Sequence, residues 1–449
     1  MLVQFCVENF RSFKERAVFS MVGYGERIHR HHLIRAKNRQ DVNLQRVAAI
    51  YGANASGKSN FARALAYMQD LIINGRRPSE GLSQNPFKLD PEWLVKPSVF
   101  QADFKKNGQL YSYGFKMTDR TILEEWLLKT TPYSEKILFR REKGHDRKVM
   151  LSFGPFLKSC SEEERNFLKF VSMGTRENQL FLTEAKERNV HFFSPAYDWF
   201  LENLRVIGPH SSVAGLEIML QDNREFSKFM ASVLAAADTG ITKIKTQKIS
   251  LESLQLPIEV EDKLKKMLGP QEMVFLQNSG QRLCISRNTK SGYAVYKLLA
   301  VHGGPANETS FELEEESDGT LRLIDLVPAL YELQHDEEMV YFIDEIGRSL
   351  HPKMLELFLD IHLGGERTQR TNQLIFTTHH TDLLTLKRFR RGEIWFVEKN
   401  PDGATEMFSL LDFKTKARFD KDIRKAYLAG RFGGMPRVKD WPHEARHAL

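Results

Sequence analysis

Cysteine is scarce in this sequence, with Cys6, Cys160 and Cys284 as the three examples in a chain of 449 residues. Three scattered thiols exclude a disulfide framework, and their spacing does not match a cysteine metal site. The chain also has no apolar run near the ~20 residues that a membrane-spanning helix needs. Charged residues appear too early at its start for a signal peptide. We therefore expect a cytoplasmic protein that makes no membrane contact.

Internal repeats and low-complexity tracts are likewise absent. Hydrophobic residues at 41% and charged residues at 27% describe an ordinary globular composition, and the length favours two or three domains. A formal net charge of +7 permits contact with nucleic acid or with an acidic partner, but a solvated basic surface explains the same excess equally well. Composition alone therefore leaves the partner open.

The stretch YGANASGKSN, residues 51–60, matches the Gly-x-x-x-x-Gly-Lys-Ser pattern of a phosphate-binding loop. An apolar run at 47–51 predicts a strand before it, and helical spacing over 60–73 predicts a helix after it. In such a loop N–H groups converge on phosphate oxygens, the lysine reaches the β- and γ-phosphates, and the serine is a ligand of Mg²⁺. The residues predicted to bind nucleotide or metal are Gly52, Asn54, Gly57, Lys58, Ser59 and Asn60, with Ser59 as the metal ligand.

A second nucleotide signal is MVYFIDE, residues 339–345, where an apolar run predicts a buried strand that ends in two carboxylates. We predict that Asp344 holds Mg²⁺, directly or through water, and that Glu345 polarises the attacking water as general base. Acidic strand ends are common elsewhere, so this prediction depends on the phosphate-binding loop upstream. Two adjacent carboxylates favour hydrolysis over simple nucleotide binding.

Two further segments carry weaker signals. The predicted strand QLIFTTHH ends at His379 and His380, where either ring could donate to a γ-phosphate or to the attacking water. A lone histidine at the end of a strand is more often structural, and this segment by itself indicates no more than that. The segment EEESDGTLRLIDL places Ser317 at the N-cap of a predicted helix. The free N–H groups there can face an anion or simply begin a helix.

Hydrophobic periodicity divides the chain into three predicted segments. Residues 1–158 form an N-terminal lobe with the phosphate-binding loop and an antiparallel meander over 98–130. Residues 159–300 show mainly helical periodicity, followed by two predicted strands, EMVFL and RLCISR, and are predicted to be a helical insertion. Residues 301–449 return to α/β alternation, with Pro328 expected to kink its helix or end it early. The predicted fold class is α/β, with a parallel-rich sheet formed by both ends of the chain.

These four segments, in this order, resemble the ATP-binding-cassette type ATPase heads of the RecF and SMC group and the ATPase of OLD-family proteins. VENFRSFKE is similar to that group's first strand, SDGT to its signature motif, SLHP (349–352) to its D-loop, and TTHH to its histidine switch. His380 replaces the usual asparagine, which leaves His379 as the better match. LAAADTGI (234–241) and KAYLAGRFGGMP (425–436) resemble ATPases of two-gene phage-defence operons of the AbiL (RloA–RloB) type and, more distantly, the PARIS ATPase AriA.

The resemblance implies a P-loop NTPase of ABC-ATPase head type that uses ATP and Mg²⁺. It further implies that ATP bound to one protomer is capped by Ser317 and Gly319 of a second protomer, in a homodimer or larger homo-oligomer. Hydrolysis would control a separately encoded effector, RloB-like or a Toprim-type nuclease, in response to a phage trigger protein. The insertion at residues 159–300 would sense that trigger or hold the effector. About fifty residues follow Val397, below the usual domain size, so we expect no nuclease domain in this chain. The alternatives are a RecF-like DNA-repair ATPase that binds nucleic acid, and a scaffold without turnover.

Three smaller features of the sequence also bear on possible sites. HRHH, residues 29–32, brings three histidines together but offers neither a carboxylate partner nor a metal-ligand spacing, so we expect a loop. By the same resemblance, Arg11 is either near the nucleotide or an ordinary surface arginine. Gln84 is a candidate for a glutamine-loop residue.

Overall fold

The computed structural model describes residues 1–39, 41–131, 134–143, 149–254, 256–269, 272–278, 281–288, 292–304, 306–364, 370–413 and 422–435. These described residues fall into two compact units. The first unit takes in residues 1–209, 336–346 and 365–449, and the second takes in residues 210–335 and 347–364. Within the described ranges, no helix combines the length and the apolar character that crossing a bilayer demands.

The strands of the first unit and the second unit are numbered together in chain order. They are β1 (Leu2–Glu8), β2 (Ala17–Ser20), β3 (Leu33–Ile34), β4 (Leu44–Gln45), β5 (Val47–Tyr51), β6 (Ser98–Lys106), β7 (Gln109–Met117), β8 (Ile122–Thr131), β9 (Ser134–Lys143), β10 (Val149–Phe153), β11 (Leu204–Ile207), β12 (Ile241–Ile249), β13 (Met273–Asn278), β14 (Gln281–Asn288), β15 (Gly292–His302), β16 (Thr309–Glu312), β17 (Val340–Ile343), β18 (Gln373–Thr378), β19 (Ile394–Lys399) and β20 (Thr405–Ser409).

The α-helices are numbered in the same way. They are α1 (Lys58–Asn74), α2 (Pro91–Leu94), α3 (Glu162–Gly174), α4 (Phe181–Glu187), α5 (Ser194–Asp198), α6 (Leu216–Asp222), α7 (Arg224–Ala236), α8 (Ile258–Met267), α9 (Asp318–His335), α10 (Pro352–Leu363) and α11 (Ile423–Leu428).

The central sheet of the first unit has the strand order β11-β17-β18-β5-β19-β20. Its pairs are parallel from β11 to β19, and β20 is antiparallel to β19 at one edge. Parallel strands end at the same edge of a sheet. The loop after β5, the carboxylates after β17 and the histidines after β18 therefore lie along one edge, although they are far apart in sequence.

An antiparallel sheet, of order β10-β9-β8-β7-β6-β1-β2, shares a hydrophobic core with the central sheet and α1. The ring of Phe61, on α1, lies 5.3 Å from that of Phe5 in the antiparallel sheet and 5.9 Å from that of Phe342 in the central sheet. Fully burying such a ring contributes about 1.5–3 kcal/mol. The predicted α/β class, with a parallel-rich sheet and an antiparallel sheet beside it, is confirmed.

The second unit contains its own antiparallel sheet, of order β12-β15-β14-β13, with β16 paired to β15. Helix α7 packs against β12 and against α9. Arg282 of β14 forms a buried ion pair with Asp325 of α9: its Nη2 donates to Oδ2 at 2.8 Å, and its Nη1 lies 2.7 Å from Oδ1. Burial raises the pKa of Asp325, and the Arg282 charge opposes that rise. This pair joins the sheet to α9.

The boundaries of the two units do not coincide with the three predicted segments. The segment 159–300 is divided after residue 209, and β11 from its first part belongs to the central sheet. Its second part holds β12 to β15 as well as α6 to α8, so it is not mainly helical. In β12, ITKIKTQKI, lysine and threonine separate the isoleucines, and this polar spacing conceals a strand from a search for apolar runs.

One of the two outcomes expected at Pro328, an early end of its helix, is wrong. α9 does not end early at Pro328 but continues to His335. Proline removes one backbone hydrogen bond, but Val327 and Ala329 on either side are buried in tertiary contacts that keep the helix continuous.

Candidate nucleotide site

The phosphate-binding loop lies between β5, which ends at Tyr51, and α1, which begins at Lys58. Gly57 precedes the helix with a φ of 117°, in the left-handed region that favours glycine. Because glycine has no side chain that could cap a helix, the first N–H groups of α1 are left to face an anion. The strand, loop and helix thus have the arrangement that a phosphate requires.

Gly52 and Gly57 are both packed too closely for a side chain. A Cβ on Gly52 would overlap the carbonyl oxygen of Val397, and a Cβ on Gly57 would overlap the hydroxyl of Thr405. Thr405 Oγ1 donates to the carbonyl of Ser56 at 2.8 Å, so β20 holds the loop in place. Sequence reasoning missed Thr405, because it lies 349 positions from its partner and carries no motif.

Lys58 lies across the loop that precedes it. Its Nζ donates to the carbonyls of Gly52 at 2.8 Å and Ala53 at 2.9 Å, and the residue is 5% exposed. Burial lowers the pKa of Lys58 to about 8, and the carboxylates of Glu345 and Asp344 oppose that shift. A phosphate group that reached this amine would replace carbonyl partners with an anion, which is a stronger partner for an ammonium.

The two carboxylates after β17 are organised by Thr377 of β18. The Thr377 hydroxyl donates to Asp344 Oδ1 at 2.6 Å and accepts from the Glu345 N–H at 2.7 Å. Glu345 has a φ of 50°, which is uncommon for a residue other than glycine. Asp344 is 2% exposed, whereas Glu345 is half-buried. Thr377 thereby fixes both the Asp344 carboxylate and the backbone turn at Glu345.

Charge interactions connect the loop, the carboxylates and the predicted histidine. Partial desolvation of the His379 ring lowers its pKa, and the charge of Lys58 lowers it further. The carboxylates of Glu345 and Asp344 oppose this shift. The His379 side chain is at the surface. His380 is half-buried, and its N–H donates to the Thr378 hydroxyl at 3.0 Å. The charge of Lys58 therefore acts on the His379 ring.

The remaining predicted residues of the loop and of the first turn of α1 are partly or fully exposed. Asn54 is exposed, and Ser59 is half-buried in the first turn of the helix. Asn60 Nδ2 donates to Ser12 Oγ at 2.7 Å, and Ser12 Oγ is hydrogen-bonded to Thr405 Oγ1 at 2.8 Å. Ser12, from the opening ENFRSF segment, therefore joins the first strand, the loop helix and β20.

A pocket of about 310 Å³ lies beside the first turn of α1. Its wall combines cationic side chains, Arg11 and Lys399 among them, with apolar surface from Leu89. Cations beside an apolar face suit the phosphates and the base of a nucleotide. Gln84, in contrast, is buried, and its amide donates to the carbonyl of Lys96 at 2.6 Å, so its side chain is engaged within the fold.

The two residues implied as a signature belong to the second unit. Ser317 Oγ accepts from the Thr320 N–H at 3.1 Å, and the Leu321 N–H donates to the Ser317 carbonyl at 2.9 Å. Ser317 is therefore the N-cap of α9, and it is exposed. A Cβ on Gly319 would lie 2.7 Å from the carbonyl oxygen of Ser349, so Gly319 allows the helix to approach that turn.

Comparison with known proteins gives one family match. The family model described as "AAA domain, putative AbiEii toxin, Type IV TA system" matches residues 47–385. No curated protein matches the chain. Similar solved structures include the SMC head domain from Thermotoga maritima, at 12% identity and a TM-score of 0.38, with 91% of this chain and 98% of that chain covered. Another is an Smc head domain bound to the C-terminal domain of ScpA, derived from Pyrococcus furiosus, at 12% identity and a TM-score of 0.35, with 96% and 98% covered.

Proposed function

We propose, since this chain belongs to the AAA domain family of type IV toxin–antitoxin systems, that it is the ATP-hydrolysing regulator of an anti-phage, abortive-infection system. The observation that carries the proposal is the meeting of Lys58, Asp344, Glu345 and His379 at one edge of the central sheet. The pKa of Lys58 responds to both carboxylates, and that of His379 responds to Lys58. A lysine and a histidine with perturbed pKa values, next to two carboxylates and a phosphate-binding loop, are typical of nucleotide hydrolysis.

Mg²⁺ fits the oxygen donors at this edge. Magnesium prefers carboxylate, hydroxyl and phosphate oxygens, and Asp344 and Ser59 would supply the first two. Asp344 is held by the hydroxyl of Thr377, so its second oxygen has a defined direction. When bound, the ion would neutralise charge on the β- and γ-phosphates of ATP.

The hydrolytic step follows from the turn after β17. Glu345 would accept a proton from the water that attacks the γ-phosphate, and its backbone is fixed by Thr377. Lys58 would leave the carbonyls of the loop for the β- and γ-phosphates. His379 would donate to a γ-phosphate oxygen, which suits a neutral ring with one N–H available.

ATP would also join two protomers. Ser317 is exposed at the start of an 18-residue helix, where N–H groups and the helix dipole favour an anion. Ser317 and Gly319 of one chain would cap the γ-phosphate of ATP bound to the loop of the other. Because the charge-assisted contacts to the γ-phosphate disappear on hydrolysis, the ATP and ADP states differ in dimer affinity.

The output would be control of a separate toxic protein. The family description names a toxin–antitoxin setting, in which two gene products act together. The partner would be an RloB-like protein or a Toprim-type nuclease, and a phage protein would be the trigger. Co-expression with the product of the neighbouring gene tests this directly: the two should co-purify, and growth arrest should require that second protein.

The test of the ATP-bound dimer is particle mass measured by light scattering, with and without ATP. Glu345→Gln should bind ATP without turnover and accumulate as a dimer. Adding Ser317→Asp should return it to monomer, because a carboxylate would oppose the γ-phosphate. Ser317→Asn is the matched control, since Asn and Asp both cap helices well. Identical masses for the Asp and Asn variants would disprove the shared site.

DNA binding is the second candidate, favoured by the net charge of +7. A RecF-like ATPase should be stimulated by duplex DNA, with an affinity that falls steeply as salt increases. A regulator of a toxin should show ATPase activity that does not depend on DNA. The two proposals are therefore separated by one titration of DNA at two salt concentrations.

A further inference from the structure

The HRHH segment, expected to be an ordinary loop, forms a cluster in the first unit. The ring nitrogens of His29, His31 and His32 offer one ligand atom each, and these atoms all lie within 4.8 Å of one another. The rings of His29 and His32 are stacked with centroids 5.0 Å apart, and His31 stands at right angles to His32 at 4.5 Å. Three imidazoles therefore converge on one point.

The sequence lacked a carboxylate for this cluster, and the tertiary structure supplies one. His32 Nδ1 lies 3.0 and 3.1 Å from the two carboxylate oxygens of Glu393, which is fully buried. Histidine ligands of metals usually make such a bond through the second ring nitrogen, which fixes the tautomer and the ring plane. With Nδ1 engaged, Nε2 of His32 is the nitrogen left to face an ion.

His29 is oriented in the same way. Its Nε2 lies 2.9 Å from the carbonyl oxygen of Leu386, and a carbonyl only accepts, so Nε2 carries the proton. The lone pair of His29 therefore lies on Nδ1. His31 is the exposed member of the cluster, so a ligand position beside it faces solvent.

Two buried arginines hold the backbone that carries the cluster. Arg390 is 1% exposed and donates to the carbonyls of Tyr24, Glu26 and Ile28, just before His29. Arg46 is 2% exposed and donates to the carbonyl of His31. Their guanidinium charges work against a bound cation, and the Glu26 carboxylate, 3.9 Å from Arg390, partly offsets them.

We propose that His29, His31 and His32 bind one divalent transition-metal ion of the Zn²⁺ class. Three imidazole nitrogens with an open fourth position match the donors that zinc prefers. Zinc–nitrogen bonds of about 2.0–2.1 Å in a tetrahedron bring the nitrogens to about 3.3 Å from one another, so the rings must close by an ångström or so.

The ion would be structural, and it would hold the start of the chain to its C-terminal third. His29 contacts Leu386, and His32 contacts Glu393, which directly precedes β19. β19 is the neighbour of β5, the strand that leads into the phosphate-binding loop. Metal binding would therefore stabilise the sheet beneath the nucleotide site without touching the nucleotide.

The test uses the full chain and zinc itself. Purified protein, freed of metal by chelator, is incubated with Zn²⁺, desalted and analysed for bound metal. We expect one zinc per chain, a higher unfolding temperature with zinc, and with Co²⁺ the intense visible absorption of a tetrahedral site. The double variant His29→Ala/His31→Ala should lose nearly all of the bound metal. It should also lose the rise in unfolding temperature and the visible absorption.

His191→Ala, which removes an exposed histidine elsewhere in the first unit, is the matched control and should retain the metal. His31→Ala alone alters only an exposed side chain, so it separates ligand loss from misfolding. Zinc content that stays the same in the double variant, or wild-type protein that retains none, would overturn the proposal. Glu345→Gln should keep full zinc content, so failure of the proposed ATPase function would leave this result unaffected.

Discussion

Thr377 provides the sharpest test of how the carboxylates are positioned. Its hydroxyl donates to Asp344 Oδ1 at 2.6 Å and accepts from the Glu345 N–H at 2.7 Å. Thr377→Val removes both bonds while keeping the shape of the side chain. We expect ATP still to bind, because Lys58 and the loop N–H groups are unchanged, and hydrolysis to slow.

The expected size follows from the two bonds. A hydrogen bond to a charged group contributes about 1.5–3 kcal/mol, and a backbone bond about 1 kcal/mol. The total of about 2.5–4 kcal/mol, if it is lost in the transition state, reduces kcat by roughly 70- to 900-fold. The smaller figure applies if water enters beside the new methyl group and satisfies part of the loss.

The assay pairs phosphate release with binding of a fluorescent ATP analogue and with chemical unfolding. Thr377→Ser is the control, since it restores the hydroxyl and should recover most of the turnover. Thr378→Val is a second control, because its hydroxyl accepts from the His380 N–H rather than serving either carboxylate. Turnover of Thr377→Val within a factor of three of the wild type would refute the positioning role.

Three further predictions concern pH, packing and the second unit. Because burial lowers the pKa of Lys58 to about 8, its charge is lost above that pH, so ATP affinity should fall there, while Lys58→Ala shows no such fall. Without ATP, the free energy of unfolding should increase as the pH rises from about 8 to the pKa of Lys58 in the unfolded chain. In that range the unfolded state binds more protons than the folded state. Gly52→Ala should weaken ATP binding and folding, since its Cβ meets a backbone carbonyl. Arg282→Met should cost about 3–5 kcal/mol by leaving Asp325 buried and unpaired.

Each of these has a specific control. Fluorescence titrations from about pH 7 to pH 9.5 measure the affinity, and an affinity that stays constant for the wild type would contradict the Lys58 prediction. Gly174→Ala should be harmless, because a Cβ there meets nothing within 4 Å. Replacing Arg282 and Asp325 together with apolar residues should cost less than Arg282→Met alone, and an equal loss in denaturant unfolding would argue against a coupled pair.

The sequence by itself determined the parts of the site that are local. Gly52 to Ser59 connect an apolar strand to a helix. The steric freedom of glycine, together with the N–H groups that have no partner within the first turn of the helix, determines the conformation of the loop. Asp344 and Glu345 follow from an apolar run that ends in carboxylates. Each of these features depends on residues within one turn or one strand of each other, so their spacing in the chain is enough to predict them.

Only the tertiary structure decided which distant residues support that site. Thr405 reaches the loop across 349 positions, and Glu393 reaches His32 across 361. Thr377 was visible in TTHH, but its bond to Asp344 spans 33 positions and depends on the parallel pairing of β17 with β18. Such hydrogen bonds leave no periodic trace in a sequence, because they are created by the packing of segments whose order in the sheet differs from their order in the chain.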